Sequence, residues 1–245
     1  MEKVTYKDCF IQLVKQSTDT EYLGRGNPNA KILFVGREGS REKPLEEISE
    51  AKDWQGKIDK NEYPQFIWGK PLDKNNKQFA PGHTWNKYQI LHDYIFQSKR
   101  PDDNGMNFEQ NIFTTEMNVH RCGRTEDANT EGMRERKATF FKTDFIQQFP
   151  VVVLACSNYI KNNDKIREID DTFGVTFDKD YIYWNKKNTK KYHFWVHFNK
   201  DYKTNGINKI VIHTRQLSND IPDDLLKDIA KIIREFLLRT DHDFH

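Results

Sequence analysis

The stretch Gly24 to Ser40, GRGNPNAKILFVGREGS, constrains the fold of this chain more than any other. Asn27-Pro28 initiates a turn, and Ile32, Leu33, Phe34 and Val35 form a short continuous apolar run of the kind buried in a parallel sheet. The run breaks into Gly36-Arg37-Glu38-Gly39-Ser40, which delivers polar residues to the carboxyl edge of the sheet. Open α/β sheets place their ligand sites at that edge. A second run answers it late in the chain: Lys209 to Ser218, KIVIHTRQLS, is an apolar strand that ends at His213. If both strands share one parallel sheet, Glu38 and His213 face the same crevice.

The elements between these runs alternate. Phe10, Leu13 and Val14 suggest a lead-in helix over Val4 to Gln16, and Trp85, Tyr88, Leu91, His92, Ile95 and Phe96 recur at helical spacing after Thr84, stopping before Pro101. Ile112 and Phe113 begin a second strand, Glu131 to Gln148 reads as a helix, Val151 to Ala155 as a third strand, and Ser157 to Ile169 as the helix after it. Pro222 to Leu238 is a final amphipathic helix, followed by a frayed acidic and His-rich tail. Residues 40–82 scatter aromatics without one period and read as an irregular active-site excursion, with a short helix near Pro44 to Asp53. Two alternating aromatic runs around an Asn/Lys-rich turn make 178–203 a β-hairpin insert that flanks the cleft. Its Lys186, Lys187, Lys190 and Lys191 interleave cations with Tyr183, Trp184, Tyr192 and Trp195, as single-strand binders do. The expected fold is a three-layer α/β/α sandwich around a central, mostly parallel sheet of about four strands.

At 245 residues the chain suits one domain spanning 1–245, since a single core extends to roughly 250 residues. No apolar run approaches the ~20 residues of a membrane span, and the amino terminus has no apolar stretch behind its charges, so a cytoplasmic protein without a membrane partner is expected. The net charge of +2 is nearly neutral, so any nucleic-acid binding must rest on local patches. Three scattered cysteines, Cys9, Cys122 and Cys156, argue against a disulfide framework.

Three motifs in this order resemble the uracil-DNA glycosylase superfamily, particularly its single-domain bacterial branch. They are the GNP-x-A-x-x-L-x-VG lead and strand from Gly26 to Gly36, the segment TTEMNVHRC from Thr114 to Cys122, and the late strand ending in His213 before a Ser-containing loop. The resemblance spans about Tyr22 to Leu238 and implies a glycosylase-like α/β/α domain, a monomer, that flips a damaged base, uracil by default, and hydrolyses its N-glycosidic bond in base excision repair. Under it Glu38 is the general base that orients water and stabilises positive charge on the sugar, and His213 donates a hydrogen bond to the departing base. Asn118 pairs with the edge of the base, with Glu116 a rival for that position, while Gly36 and Phe79 complete the base site. Arg37, Ser40, Arg215 and Ser218 meet phosphate, and Leu217 is the apolar wedge that fills the gap left by the flipped nucleotide. Some members hold an iron–sulfur cluster on four cysteines; Cys122 falls where one ligand would sit, but three thiolates do not complete the set, so no cofactor is expected.

Each residue also has a plainer reading: Glu38 and Asn118 as turn residues, His213 as a core histidine with satisfied nitrogens. The chain departs from the family in having Gly39 where proline is usual. A second reading is therefore a non-catalytic module of the same fold that recognises DNA, possibly single-stranded, and a third is a hydrolase of small nucleosides. No lysine stands beside the motifs as a Schiff-base nucleophile, which makes a glycosylase monofunctional. His193 and His197 are four apart, but in a strand-like run that does not converge on one metal.

Overall fold

The computed structural model describes residues 5–38, 50–62, 83–100, 105–120, 129–185, 188–218, 221–240 and Phe244. In chain order the elements are α1 (Asp8–Gln16), β1 (Arg25–Gly26), β2 (Ile32–Gly36), α2 (Ala51–Lys60), α3 (His83–Phe96), β3 (Ile112–Glu116), α4 (Met133–Ala138), α5 (Asp144–Gln147) and β4 (Val151–Leu154). They continue with α6 (Glu168–Phe173), β5 (Val175–Trp184), β6 (Lys191–Asn199), α7 (Tyr202–Asn205), β7 (Ile210–Thr214) and α8 (Asp223–Thr240). Helices and strands alternate as an α/β protein requires.

One mixed sheet carries all seven strands in the order β1-β3-β2-β4-β7-β6-β5. Its heart is parallel: β2 pairs with β3 on one side and β4 on the other, and β4 pairs with β7. The sheet is wider than the sequence suggests, because the aromatic hairpin is no insert. Its inner strand β6 pairs antiparallel with β7, and β5 pairs antiparallel with β6, so the hairpin extends the sheet itself. At the other edge β1 adds two residues antiparallel to β3.

The alternation of strand side chains sorts the core into two layers. Ile32, Phe34, Val151, Val153, Ile210 and Ile212 pack against Leu91 and Ile95 of α3 and Ile229 and Ile233 of α8. Leu33, Val35, Val152, Leu154 and Val211 face the other way, onto Phe10 of α1, Trp54 of α2, Phe145 of α5 and Ile169 of α6. Helices therefore cover both faces of the parallel strands, which is why β2 is buried along its whole length.

The lead into β2 is fixed by close approach. Gly24 has φ +125°, and a Cβ there would stand 2.2 Å from the Thr114 carbonyl oxygen, so only glycine fits. The Gly24 carbonyl accepts the indole N–H of Trp54 at 2.9 Å, and the indole meets Phe10 edge-on with ring centroids 5.0 Å apart. One strand beyond, the buried Arg25 guanidinium holds the buried Glu109 carboxylate through two donors, tying β1 to the turn that precedes β3.

Several local expectations change. Residues 131–148 do not make one helix: α4 stops at Ala138, Phe140–Lys142 is a 3-10 turn, and α5 restarts at Asp144 after an extended Thr143. The Thr143 hydroxyl donates to the Phe140 carbonyl, a side-chain bond that competes with helical continuation. Residues 157–169 are likewise no helix. A 3-10 turn at Ser157–Tyr159 leads into a loop in which the Asn163 side-chain oxygen accepts the N–H groups of Lys165 and Ile166, and α6 begins only at Glu168. Within the 40–82 excursion the described part is a regular helix, α2, placed later than Pro44 to Asp53; Ser40 and Phe79 lie outside the described residues. In the tail, Phe244 is buried against Phe96, ring centroids 5.5 Å apart.

Trp54→Ala removes a fully buried indole and its bond to Gly24. It is expected to cost about 3–5 kcal/mol in unfolding free energy, read as a lowered midpoint in urea.

Candidate functional site

β2, β3, β4 and β7 end side by side, and their carboxyl edge collects the polar residues of the sequence motifs. The segment after β4, residues 157–163, stands at the centre of this edge. On one flank its Tyr159 ring lies under the Arg37 guanidinium at 4.4 Å. Burial, and then the neighbouring Glu38 carboxylate, push the Tyr159 hydroxyl up to about 12. On the other flank its Ser157 and Asn162 hold His213. Glu38 and His213 thus reach the same carboxyl edge of the sheet's parallel strands, but with the β4 loop in contact with both and β4 itself between their strands.

His213 is the centre of a chain of buried hydrogen bonds. Arg167 donates to the Asn162 side-chain oxygen at 2.8 Å, which turns the Asn162 amide N–H₂ toward two imidazoles. One N–H goes to Nε2 of His197 at 3.2 Å and the other to Nδ1 of His213 at 3.3 Å. His197 in turn donates from Nδ1 to Asp170 at 2.7 Å, and His213 donates from Nε2 to the Ser157 carbonyl at 2.8 Å. The donors and acceptors close only if both rings are neutral. Electrostatics agree: burial lowers His197 against the opposing pull of Asp170, and burial pushes His213 down to about 4. Ser157 itself sits at φ 52°, a left-handed conformation uncommon for serine, held by this bond and by its hydroxyl, which accepts the Gln216 N–H at 3.2 Å.

Beside this chain opens a cleft of about 400 Å³ lined by Asn158, Lys161, Asn162, Lys191, Trp195 and Arg215 among others. On β6, His193 and Trp195 point to the same face as His213, which pairs with Trp195 across the β6–β7 ladder. The three rings form a near-parallel series, His193 to Trp195 and Trp195 to His213 each 5.2 Å between centroids. The cleft therefore has aromatic walls on the sheet side and cations, Lys161, Lys191 and Arg215, among its other lining residues. Such a site suits a flat, anionic ligand.

The remaining expected residues divide. Asn118 is buried and fully used within its own loop: its amide donates to the Asn129 carbonyl at 2.9 Å and its oxygen accepts the His120 N–H at 3.1 Å. These bonds hold the loop, and the side chain is buried rather than at the surface as its plainer reading had it. Glu116, its rival, ends β3 with its carboxylate against Gly36, where a Cβ would stand 2.1 Å from Oε2. Leu217, expected as a wedge, is wholly buried in the core with Ile221 and Leu225, because the chain after β7 folds back beneath α8. Arg215 lines the cleft with its guanidinium over the Tyr192 ring at 5.2 Å, and the Ser218 carbonyl accepts the Ile221 N–H in the turn before α8. Cys156 is a buried thiol that burial pushes up to about 12, which makes it inert, and Cys122 lies outside the described residues. The sequence reading missed Asn162, Arg167 and Asp170; the Asn162-Asn163-Asp164 run was their signal, since it breaks a helix and builds a turn.

No protein-family model and no curated protein matches the sequence. No described helix is long and apolar enough to cross a membrane.

The folded-state value of His213 lies below its ordinary 6.5. The unfolded chain thus binds the proton first as pH falls, and the stability that His213 contributes above about pH 6.5 is lost between there and about pH 4. Denaturant titrations across that window are expected to show ~3 kcal/mol of loss in the parent protein that His213→Gln does not show.

Proposed function

We propose that this protein is a nucleic-acid-recognition domain that takes a base of a single strand into the cleft between the β4 loop and strands β6 and β7. The observation that carries this reading is Trp195, stacked between His193 and His213 on the sheet side of a cleft that Lys161, Lys191 and Arg215 also line. Aromatic faces hold bases without regard to sequence, and lysine and arginine meet the phosphates. The buried hydrogen-bond chain beneath suits binding better than chemistry, because both nitrogens of His213 are already committed inside the protein. The four parallel strands with helices on both faces are what the resemblance to uracil-DNA glycosylases implies, and support a recognition module of that kind.

A second reading, a monofunctional and metal-free DNA glycosylase of base excision repair, is favoured by Glu38. Its carboxylate follows β2 directly at the carboxyl edge, beside Arg37 and Tyr159, where it would orient water toward an anomeric carbon. In that reading the His213 Nε2–H donates a hydrogen bond to the departing base only after its bond to the Ser157 carbonyl opens.

A labelled single-stranded oligonucleotide with one uracil tests both. The recognition reading predicts salt-sensitive binding that Trp195→Ala weakens about 5- to 150-fold, the span of one base–aromatic stack, with no alkali-labile site formed. Alkali-labile cleavage that Glu38→Gln abolishes would replace it with the glycosylase; binding indifferent to Trp195 would refute the cleft.

A further inference from the structure

The aromatic series does not end at the cleft. Across the β5–β6 ladder Ile182 pairs with His193 and Trp184 with Lys191, so both outer residues share the face that carries His193, Trp195 and His213. Ile182 is 47% and Trp184 54% exposed, two of the five large apolar residues that stand out among the described surface. Their neighbours one position along, Tyr181 and Tyr183, point to the other face, where both stack on Phe194. Ile182 and Trp184 therefore have no inward packing role that explains their type. A tryptophan half in water at a sheet margin marks a contact surface.

We infer that Ile182 and Trp184 form an outer subsite for the same single strand, so that the nucleic acid runs from the cleft across β6 onto β5 and occupies several nucleotides rather than one. This inference rests on the proposed recognition reading and adds the length and path of the ligand to it. Spacing supports it: residues two apart in a strand lie about 6.6 Å apart and adjacent strands about 4.8 Å, so Trp195, His193 and the Ile182–Trp184 pair present stacking surfaces at intervals that an extended strand can match. Charge supports it as well. Lys191 stands directly across from Trp184, which places a cation beside the outer ring. Asp180, across from Trp195 and on the same face, supplies the one opposing carboxylate on this stretch of β5. It lies 4.0 Å from His193 Nδ1, at the inner end of the path, while Lys191 stands at the outer end.

The alternative occupant is a second copy of the chain, since β5 is an edge strand and exposed edges pair. β5 pairs with β6 on one side only, but Asp178, Lys179 and Asp180 are all exposed and charged, a composition that blunts edge pairing.

Fluorescence anisotropy with labelled thymidine oligonucleotides of one, three, six and twelve nucleotides, on the full chain, decides the matter. The outer subsite predicts affinity that rises from one to about six nucleotides, and a Trp184→Ala variant that loses about 5- to 150-fold for the twelve-mer while binding the mononucleotide as the parent does. Ile182→Ser, equally exposed and without risk to the core, is expected to reduce twelve-mer binding in the same direction. Affinity that does not rise beyond one nucleotide, or a twelve-mer affinity indifferent to Trp184, overturns the outer subsite and leaves the cleft intact. Loss of all binding in the parent protein refutes the recognition reading instead. A concentration-dependent dimer that Trp184→Ala dissolves would assign the surface to a second copy and overturn the inference.

Discussion

The side-chain amide of Asn162 is the interaction on which the candidate site depends. One group with two N–H donors faces two imidazoles that lie on adjacent antiparallel strands, and it can satisfy both only because Arg167 holds its oxygen from behind. Removing the amide would leave two buried ring nitrogens without a donor, each a loss of about 1–3 kcal/mol. It would also remove one of the ties between the β4 loop and β7, leaving the two bonds through Ser157, its carbonyl to His213 and its hydroxyl to the Gln216 N–H. The cleft exists in the gap between that loop and the sheet, so its shape follows from this one amide.

Neutral histidines make the floor chemically quiet. Two imidazolium charges under Trp195 would compete with the surface cations for an anionic ligand and cost heavily in a buried setting. With His197 tied to Asp170 and His213 pushed down to about 4, positive charge at the cleft is left to Lys161, Lys191 and Arg215. The same chain fixes the tautomer of His213 and commits its Nε2 proton to a backbone carbonyl, the feature on which the proposed recognition reading rests.

Much of the frame was legible. The apolar runs of β2, β4 and β7, the helical spacing of α1, α3 and α8, and the paired aromatic strands of β5 and β6 are local patterns, and each appears as its element, although α1 begins only at Asp8 and not at Val4. The failures share a cause. In 157–169 and 131–148 asparagine and threonine side chains bond to nearby backbone and break helices that apolar spacing alone would continue. The joining of β6 to β7 is a long-range pairing that no periodicity encodes, and it turned an expected insert into the wall of the cleft. His213 shows the limit most plainly: its position at the end of an apolar strand was readable, but whether its nitrogens were spoken for depended on Asn162, 51 residues away. Leu217 was legible as apolar, not as inward-facing, since only the fold-back onto α8 decides that.

Nitrogen-15 chemical shifts of the histidine rings test the central claim directly. The hydrogen-bond chain predicts that His213 remains neutral from about pH 7 to about pH 5, with its proton on a shielded Nε2 and a deshielded, proton-free Nδ1, and that His197 shows the opposite tautomer. A His213 that titrates near 6.5, its ordinary value, or that carries its proton on Nδ1, would mean that Asn162 does not hold the two rings and that the cleft is built some other way.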